Sequence, residues 1–384
     1  WSALQTLSAP DLDPTQDNNR FGISLAFAGG DMGRFLAIGA NRGVNTTQPS
    51  AGAVYLYRKD PGGLWEFVQK LNAPRTSSNA SQRFGEAVAM DFDAASGAYT
   101  LAVSAPGHID AGGPARGGAV FVYQLNPFAT FTPIAVTCAT PTTPCGGFLF
   151  TPDSANGASG DDFGYDLALH GDRLLISAPY IETTTDVFPG QAFLFQRGAM
   201  QPDGAFDWTL RASLGDPTPQ DAEEFGDSVA VTPTELLISA PYFDHMNGTS
   251  GVVYRFSRDA TDGAQPIGSL KLPVTRQSAG GSNTFGAGAI AADQNILAVP
   301  VSQTCRSVHL YQLLGTPTLL EIIDQPADAS SQFGNGLALD ADSRTVLVGS
   351  PGDTVQGQTG AGTVRVYLGF GDLFADGFED APPP

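Results

Sequence analysis

The sequence predicts an all-β chain folded as a six-bladed β-propeller of four-stranded antiparallel blades, and three observations predict it. Phe-Gly recurs at Phe21-Gly22, Phe84-Gly85, Phe163-Gly164, Phe225-Gly226, Phe285-Gly286 and Phe333-Gly334, at intervals of 63, 79, 62, 60 and 48 residues. Such long-period self-similarity marks a repeat architecture. The repeats are built from runs of four to eight residues with period-two character, bounded by turn residues, which is the pattern of strands. Four such runs in about 60 residues make one propeller blade with long loops. No long amphipathic helical pattern interrupts them. Gly (46) and Pro (28) supply the turns that many short strands need, at about 19% of the chain and below the ~25–30% typical of disordered chains.

The first run of each repeat follows Phe-Gly and alternates small with apolar residues, as in Glu86-Ala87-Val88-Ala89-Met90 and Asp227-Ser228-Val229-Ala230-Val231. Small side chains let neighbouring sheets approach, so this strand is assigned to the central channel. The glycine permits close backbone contact or a positive φ, and the phenylalanine is an apolar anchor at the blade junction. The second run ends in Ala-Pro in Leu101–Pro106, Leu174–Pro179 and Leu236–Pro241. Proline cannot donate to a ladder and holds its predecessor extended, so it stops the strand. The first repeat has Gly39-Ala40-Asn41 instead, and the fifth is matched by Val299-Pro300. The third run carries aromatics at alternate positions, as in Ala53-Val54-Tyr55-Leu56-Tyr57. The fourth is more polar, as in Trp65-Glu66-Phe67-Val68-Gln69-Lys70-Leu71, and suits an exposed edge.

The sixth repeat runs out after its third strand near Leu368. Residues 1–10 match residues 65–74 in register, with Trp, Gln, Leu and Ala-Pro aligned. The N-terminal strand is therefore expected to complete the last blade and close the ring. Seven blades, the alternative, would require a repeat hidden in the 79-residue interval, which is too short for one. Residues 1–370 form the expected propeller, and residues 371–384 a flexible acidic C-terminal tail containing Leu373-Phe374-Ala375-Asp376-Gly377-Phe378-Glu379.

These motifs resemble the FG-GAP repeats of integrin α-subunits and of bacterial surface and secreted proteins. The resemblance covers roughly residues 1–370 and implies a propeller whose usual role is extracellular binding or adhesion. Several integrin-type blades carry an Asp-x-Asp-x-Asp-Gly calcium loop between the first and second strands. Calcium wants several hard oxygens on a tight turn, and here Asp91-Phe92-Asp93 and Asp340-Ala341-Asp342 come closest, each lacking the third acidic ligand. Solvated Asp turns are the expected state, with no cofactor and no metal. The tail is similar to a short ending shared by secreted bacterial proteins.

Charge and cysteine usage bound the partners. A formal net charge of −20 repels phosphate backbones and anionic lipid, so no nucleic acid and no membrane insertion are expected. No apolar run approaches a transmembrane length. The start at Trp1 without methionine fits a processed secretory chain or a shortened one, and secretion or cell-surface display by a bacterium is expected. Cys138 and Cys145 flank a Pro/Thr-rich loop and suit a local disulfide, which an oxidising compartment would permit; Cys305 is left over. A monomer is expected.

No His-Glu-x-x-His, Gly-x-Ser-x-Gly or phosphate loop appears, so the chain is read as a binding module rather than an enzyme. Strand two-to-three loops and blade-to-blade loops emerge on one side, where variable loops on a rigid scaffold concentrate function. The ligand-binding candidates there are Arg42, His108, Asp110, Arg116, Tyr180, Asp186, Tyr242, Asp244, His245 and Asp353. The expected function is recognition of a protein or glycan on this loop face. The alternative is a secreted polysaccharide-active enzyme with carboxylates near the central channel.

Overall fold

The computed structural model describes residues 7, 9–10, 20–30, 33–42, 51–61, 64–73, 81–94, 98–108, 117–125, 148–150, 162–181, 189–200, 206–218, 223–245, 248–249, 251–272, 283–303, 306–327, 333–341, 344–350 and 363–368. Every regular element among them is a β-strand. The chain divides into two compact units, residues 1–221 with 260–265, and residues 222–259 with 266–384.

The first unit holds three antiparallel meanders. β1 (Leu25–Gly30), β2 (Gly33–Ala40), β3 (Ala53–Lys59) and β4 (Trp65–Asn72) form sheet 1. β5 (Val88–Asp93), β6 (Ala98–Ala105), β7 (Ala119–Leu125) and β8 (Phe148–Phe150) form sheet 2, and β9 (Leu167–His170), β10 (Arg173–Ala178), β11 (Gln191–Met200) and β12 (Phe206–Leu214) form sheet 3. The second unit repeats the plan. Sheet 4 has β13 (Val229–Val231), β14 (Glu235–Ala240), β17 (Val252–Ser257) and β18 (Gly268–Lys271), with a small hairpin, β15 (Asp244–His245) and β16 (Gly248–Thr249), inserted after β14. Sheet 5 has β19 (Asn283–Phe285) and β20 (Ala291–Asp293), both on β21 (Ile296–Gln303), then β22 (Ser307–Gln312) and β23 (Thr318–Asp324). Sheet 6 comprises β24 (Gly336–Asp340), β25 (Thr345–Ser350) and β26 (Thr363–Leu368).

Consecutive sheets within a unit pack face to face. One buried cluster joins Val54 and Leu56 of sheet 1 to Val88, Met90 and Phe121 of sheet 2, and the next joins Val120 and Val122 to Leu174, Ile176 and Phe193 of sheet 3. In the second unit, Leu237 and Val253 meet Leu297 and Val299, and Val308 and Leu310 meet Val346 and Val348. The first strands are neighbours, β1 beside β5 and β5 beside β9, with β20 beside β24. The small residues of these strands allow that approach.

The Phe-Gly pair turns out to be the last turn before each first strand, and it works as a lock. All six glycines have φ between 84° and 95°, a region closed to most L-residues. Each donates its N–H to a carbonyl near the end of the second strand of its own sheet: Gly22 to Gly39, Gly85 to Ser104, Gly164 to Ser177, Gly226 to Ser239, Gly286 to Pro300 and Gly334 to Gly349, at 2.7–3.0 Å. In three repeats the serine of Ser-Ala-Pro adds a second bond, its Oγ accepting the N–H of Ala87, Asp166 or Ser228 at 2.8–2.9 Å. The phenylalanine turns back onto the alternate aromatics of its own third strand. Phe84 meets Phe121 at 5.6 Å, Phe163 meets Phe193 at 5.5 Å, and Phe225 meets Tyr254 at 5.6 Å. Burying each ring is worth about 2–3 kcal/mol.

A glycine opening the third strand completes the junction with the next sheet. Gly52 bridges to Phe84 and Gly118 to Phe163. A Cβ on Gly52 would lie 2.1 Å from the Phe84 carbonyl oxygen, and one on Gly251 would lie 2.4 Å from that of Phe285. The fifth repeat departs from the expected alignment. Pro300 occupies the place of Ser104, not of Pro106, because Gly286 bonds to its carbonyl. Where Ser104 returns its N–H to Ala87, Pro300 has none to give, and the first strand, β20, starts only at Ala291, while the segment ending at Phe285 pairs with β21 as β19. Val299-Pro300 therefore does not end β21, which continues to Gln303.

Of the aspartates weighed as calcium ligands, Asp91 and Asp93 have protein partners, and Asp342 lies outside the described residues. Asp91 accepts the Gly171 N–H of the neighbouring sheet 3 at 2.7 Å, and Asp93 pairs with Arg197 at 2.5 Å. Asp293 likewise accepts the Ala341 N–H of sheet 6 at 2.8 Å. Among the described residues no group of three His, Cys, Asp or Glu side chains gathers, and no helix is long and apolar enough to cross a membrane.

Candidate functional site

In each antiparallel sheet the start of the first strand and the end of the second lie at the same end. The Phe-Gly turns and the segments following Ala-Pro therefore converge there. Arg42 is exposed just beyond β2. Tyr180 and Tyr242 each follow an Ala-Pro proline; Tyr180 is half-buried and Tyr242 is 42% exposed. His108 has turned inward. It is 1% exposed, its Nδ1 lies 3.1 Å from Gln82 Oε1, and its ring meets the edge of Phe121. We therefore assign it to the core beneath the loop face. Asp244 and His245 form β15 and pair with Thr249 and Gly248. Asp110, Arg116, Asp186, Asp353, Cys138, Cys145, Cys305 and the C-terminal tail lie outside the described residues.

The residue immediately before Phe-Gly is the feature the loop-based selection missed. Arg20, Arg83, Asp162 and Glu224 are all charged and all have left-handed backbones, with φ of 56°, 57°, 49° and 53°. Three of these turns close with the same 3.0 Å bond, from Ile23, Glu86 and Asp227 N–H to the Arg20, Arg83 and Glu224 carbonyls. The turn thus presents its first and fourth side chains together.

In the first unit this creates a continuous strip. Asn41, standing where later repeats have proline, donates from Nδ2 to Glu86 Oε2 at 2.7 Å. Arg83 reaches Glu86 at 3.9 Å and Asp162 at 2.7 Å. Asp162 begins the turn that carries Tyr165, whose ring packs edge-on against Tyr180 at 5.6 Å. One polar line therefore spans sheets 1, 2 and 3 and ends in two tyrosines.

In the second unit Tyr242 stands beside the turn from Glu224 to Asp227. Its N–H donates to the Glu223 carbonyl at 3.4 Å, and Asp227 Oδ2 accepts the Gly288 N–H at 3.2 Å. Burial raises the Tyr242 pKa above the usual phenol value, helped by the Glu224 and Asp227 charges, and burial raises that of Glu224. Deeper in sheet 4, Arg255 forms a buried bidentate pair with Glu235 and also donates to the Leu313 carbonyl of sheet 5 at 3.0 Å.

A model of the FG-GAP repeat matches residues 153–195, which span the third Phe-Gly turn, β9, β10 and the start of β11. No curated protein matches the chain. Among solved structures, a candidate 6-phosphogluconolactonase from Bacteroides uniformis is similar with a TM-score of 0.49 at 10% identity, covering 90% of this chain and 80% of that one. The periplasmic gluconolactonase PpgL of Pseudomonas aeruginosa has a TM-score of 0.46 at 13% identity, covering 89% and 87%. Kluyveromyces lactis Hsv2 has a TM-score of 0.46 at 11% identity, covering 92% and 74%.

Proposed function

We propose that the chain is an extracellular recognition module, a six-bladed propeller that binds a protein or glycan at the loop end of its sheets without catalysis. The observation that carries this reading is the sixfold lock between each Phe-Gly glycine and its second strand. It fixes every loop root to a rigid sheet and leaves the loops themselves free to vary, as binding scaffolds require.

Ring closure belongs to the same proposal. Ala9, with Leu7 beside it, packs against Ile38, Ala53, Tyr55 and Tyr57 of sheet 1. Ala73, just after β4, packs the same way against Phe84 and Phe121, and Leu272, just after β18, against Phe285 and Tyr311. Both of those residues end the fourth strand of the preceding sheet. By analogy with those two junctions, the segment ending at Ala9 is proposed to supply the fourth strand that sheet 6 lacks among the described residues. Export from a bacterium, a Cys138–Cys145 disulfide, a monomeric state and independence of calcium complete the proposal.

The test is binding. Saturable capture of a glycan or extracellular protein, weakened by Tyr242→Ala or Arg42→Ala, supports the reading. Capture unaffected by every loop-end substitution overturns it. One observation favours the second reading, a secreted polysaccharide-active enzyme: burial raises the pKa of Glu224, the direction a general acid requires. Turnover of a polysaccharide that disappears in Glu224→Gln would establish that alternative.

A further inference from the structure

We propose that the strip from Asn41 to Tyr180 in the first unit is a carbohydrate subsite for neutral pyranose units. The inference rests on the loop-end reading above and names the ligand class it takes.

A pyranose presents two chemistries at once, a rim of hydroxyls that both donate and accept, and an apolar C–H face. The strip offers matching partners in one line. Glu86 and Asp162 are acceptors, and Arg83 carries planar donors held in place by both of them at 3.9 and 2.7 Å. Their side chains keep between 17% and 33% of their surface in solvent. Planar groups already fixed by one another lose little freedom when a hydroxyl pairs with them. Tyr165 and Tyr180, both half-buried, lie edge to face beside this line and supply an aromatic surface for the C–H face.

Asn41 supplies the observation that points outward from the protein's own bonding. It is 2% exposed, and its Nδ2 is committed to Glu86, yet its Oδ1 has no hydrogen-bond partner among the described residues. A buried acceptor left unmet is costly, because it has lost its water and gained no partner. Proline in its place would avoid that cost, as in the second, third and fourth repeats. Because the atom is buried, it is met by a water that relays to a ligand hydroxyl in the strip. Charge selects among sugars. Arg83, Glu86 and Asp162 sum to one negative charge on a chain of net −20, which disfavours uronic and sialic acids.

The experiment is an array of neutral oligosaccharides (cello-, xylo-, manno- and malto-series) beside oligogalacturonate and hyaluronan, followed by calorimetric titration of the strongest neutral oligosaccharide. The expected result is retention of a neutral oligosaccharide whose Kd rises at least tenfold in Tyr180→Ala and in Glu86→Gln, with unchanged melting temperature, and stays within about twofold in Glu66→Gln on the exposed strand β4. Should Glu86→Gln fold poorly, Asn41→Pro, which restores the residue of the other repeats, is expected to weaken binding in the same way. Retention of acidic sugars alone overturns the inference. So does a glycan lost in Tyr242→Ala but not in Tyr180→Ala, which leaves the loop-end reading standing. If no glycan is retained, the subsite is wrong, and capture of an extracellular protein sensitive to Tyr242 then decides the loop-end reading separately.

Discussion

Three glycine-to-alanine substitutions separate the two costs built into each inter-sheet junction. Gly52 has φ +92°, and a Cβ there would lie 2.1 Å from the Phe84 oxygen, 2.5 Å from its nitrogen and 2.8 Å from its carbonyl carbon. All three are backbone atoms of the next sheet, so no side-chain rotation relieves the clash. Gly22 has nearly the same φ, +90°, with nothing within 4 Å, and Gly215 has neither a positive φ nor a neighbour within 4 Å. Left-handed strain alone costs about 1–3 kcal/mol, and overpacking against rigid neighbours adds about 1–3 kcal/mol. Gly52→Ala is therefore expected to lose about 2–6 kcal/mol, Gly22→Ala about 1–3 kcal/mol, and Gly215→Ala nothing measurable or a slight gain from lower unfolded-chain entropy. Urea unfolding followed by far-UV circular dichroism measures the series, with thermal midpoints falling about 1–2 °C per kcal/mol for a chain of 384 residues. If Gly52→Ala proves no worse than Gly22→Ala, the close approach of Gly52 to Phe84 is not a feature of the folded protein, and the account of the junction fails with it.

Removing residues 1–10 is expected to cost about 2 kcal/mol or more, from the loss of Leu7 and Ala9 against sheet 1 and exposure of a sheet edge, read as a lower urea midpoint. Arg255→Met alone is expected to lose about 3–5 kcal/mol because it strands buried Glu235, whereas Arg255→Met with Glu235→Leu recovers most of that loss; equal losses in single and double variants would contradict it. Burial raises the Glu224 pKa, so the native state binds its proton more tightly than the unfolded chain does, and its contribution is present at acid pH and lost as pH rises through the elevated value. Glu224→Gln is accordingly expected to match the parent near pH 4 and exceed it in stability at pH 7, and to bring the Tyr242 phenol, followed at 295 nm, back toward the ordinary tyrosine range.

Much of the sheet plan was legible because its markers are backbone necessities repeated in phase. Phe-Gly is visible six times since only glycine takes the turn and only a large ring fills the space over the third strand. Gly52 and Gly118 are as restricted, yet Gly118 sits in a glycine-rich stretch where one more glycine carries no signal, and Gly52 reads as an ordinary turn glycine before a strand. Pro300 was misaligned by two residues because sequence shows a proline but not which carbonyl bonds to Gly286. The β15–β16 hairpin is two residues per strand, too short for any periodicity. At the candidate site, Tyr180 and Tyr242 could be found because proline marks where the strand stops. His108 follows a proline in the same way but turns inward, since Gln82 offers its ring nitrogen a partner and Phe121 a packing surface. Arg83, Asp162 and Glu224 stood beside the repeat marker throughout. Charge before Phe-Gly in four successive repeats was readable, but its meaning depends on the turn that sets the first and fourth side chains together.

The Asp91 and Asp293 bonds have a further consequence for how the molecule yields. Each carboxylate grips the main chain of its neighbouring sheet, so a defect introduced at one of these turns is expected to loosen that seam first. Chemical damage or substitution at such a site should open local amide exchange in two adjoining sheets while the remaining ones keep their protection. A lineage could then exchange or redecorate one repeat at a time without first re-engineering the others.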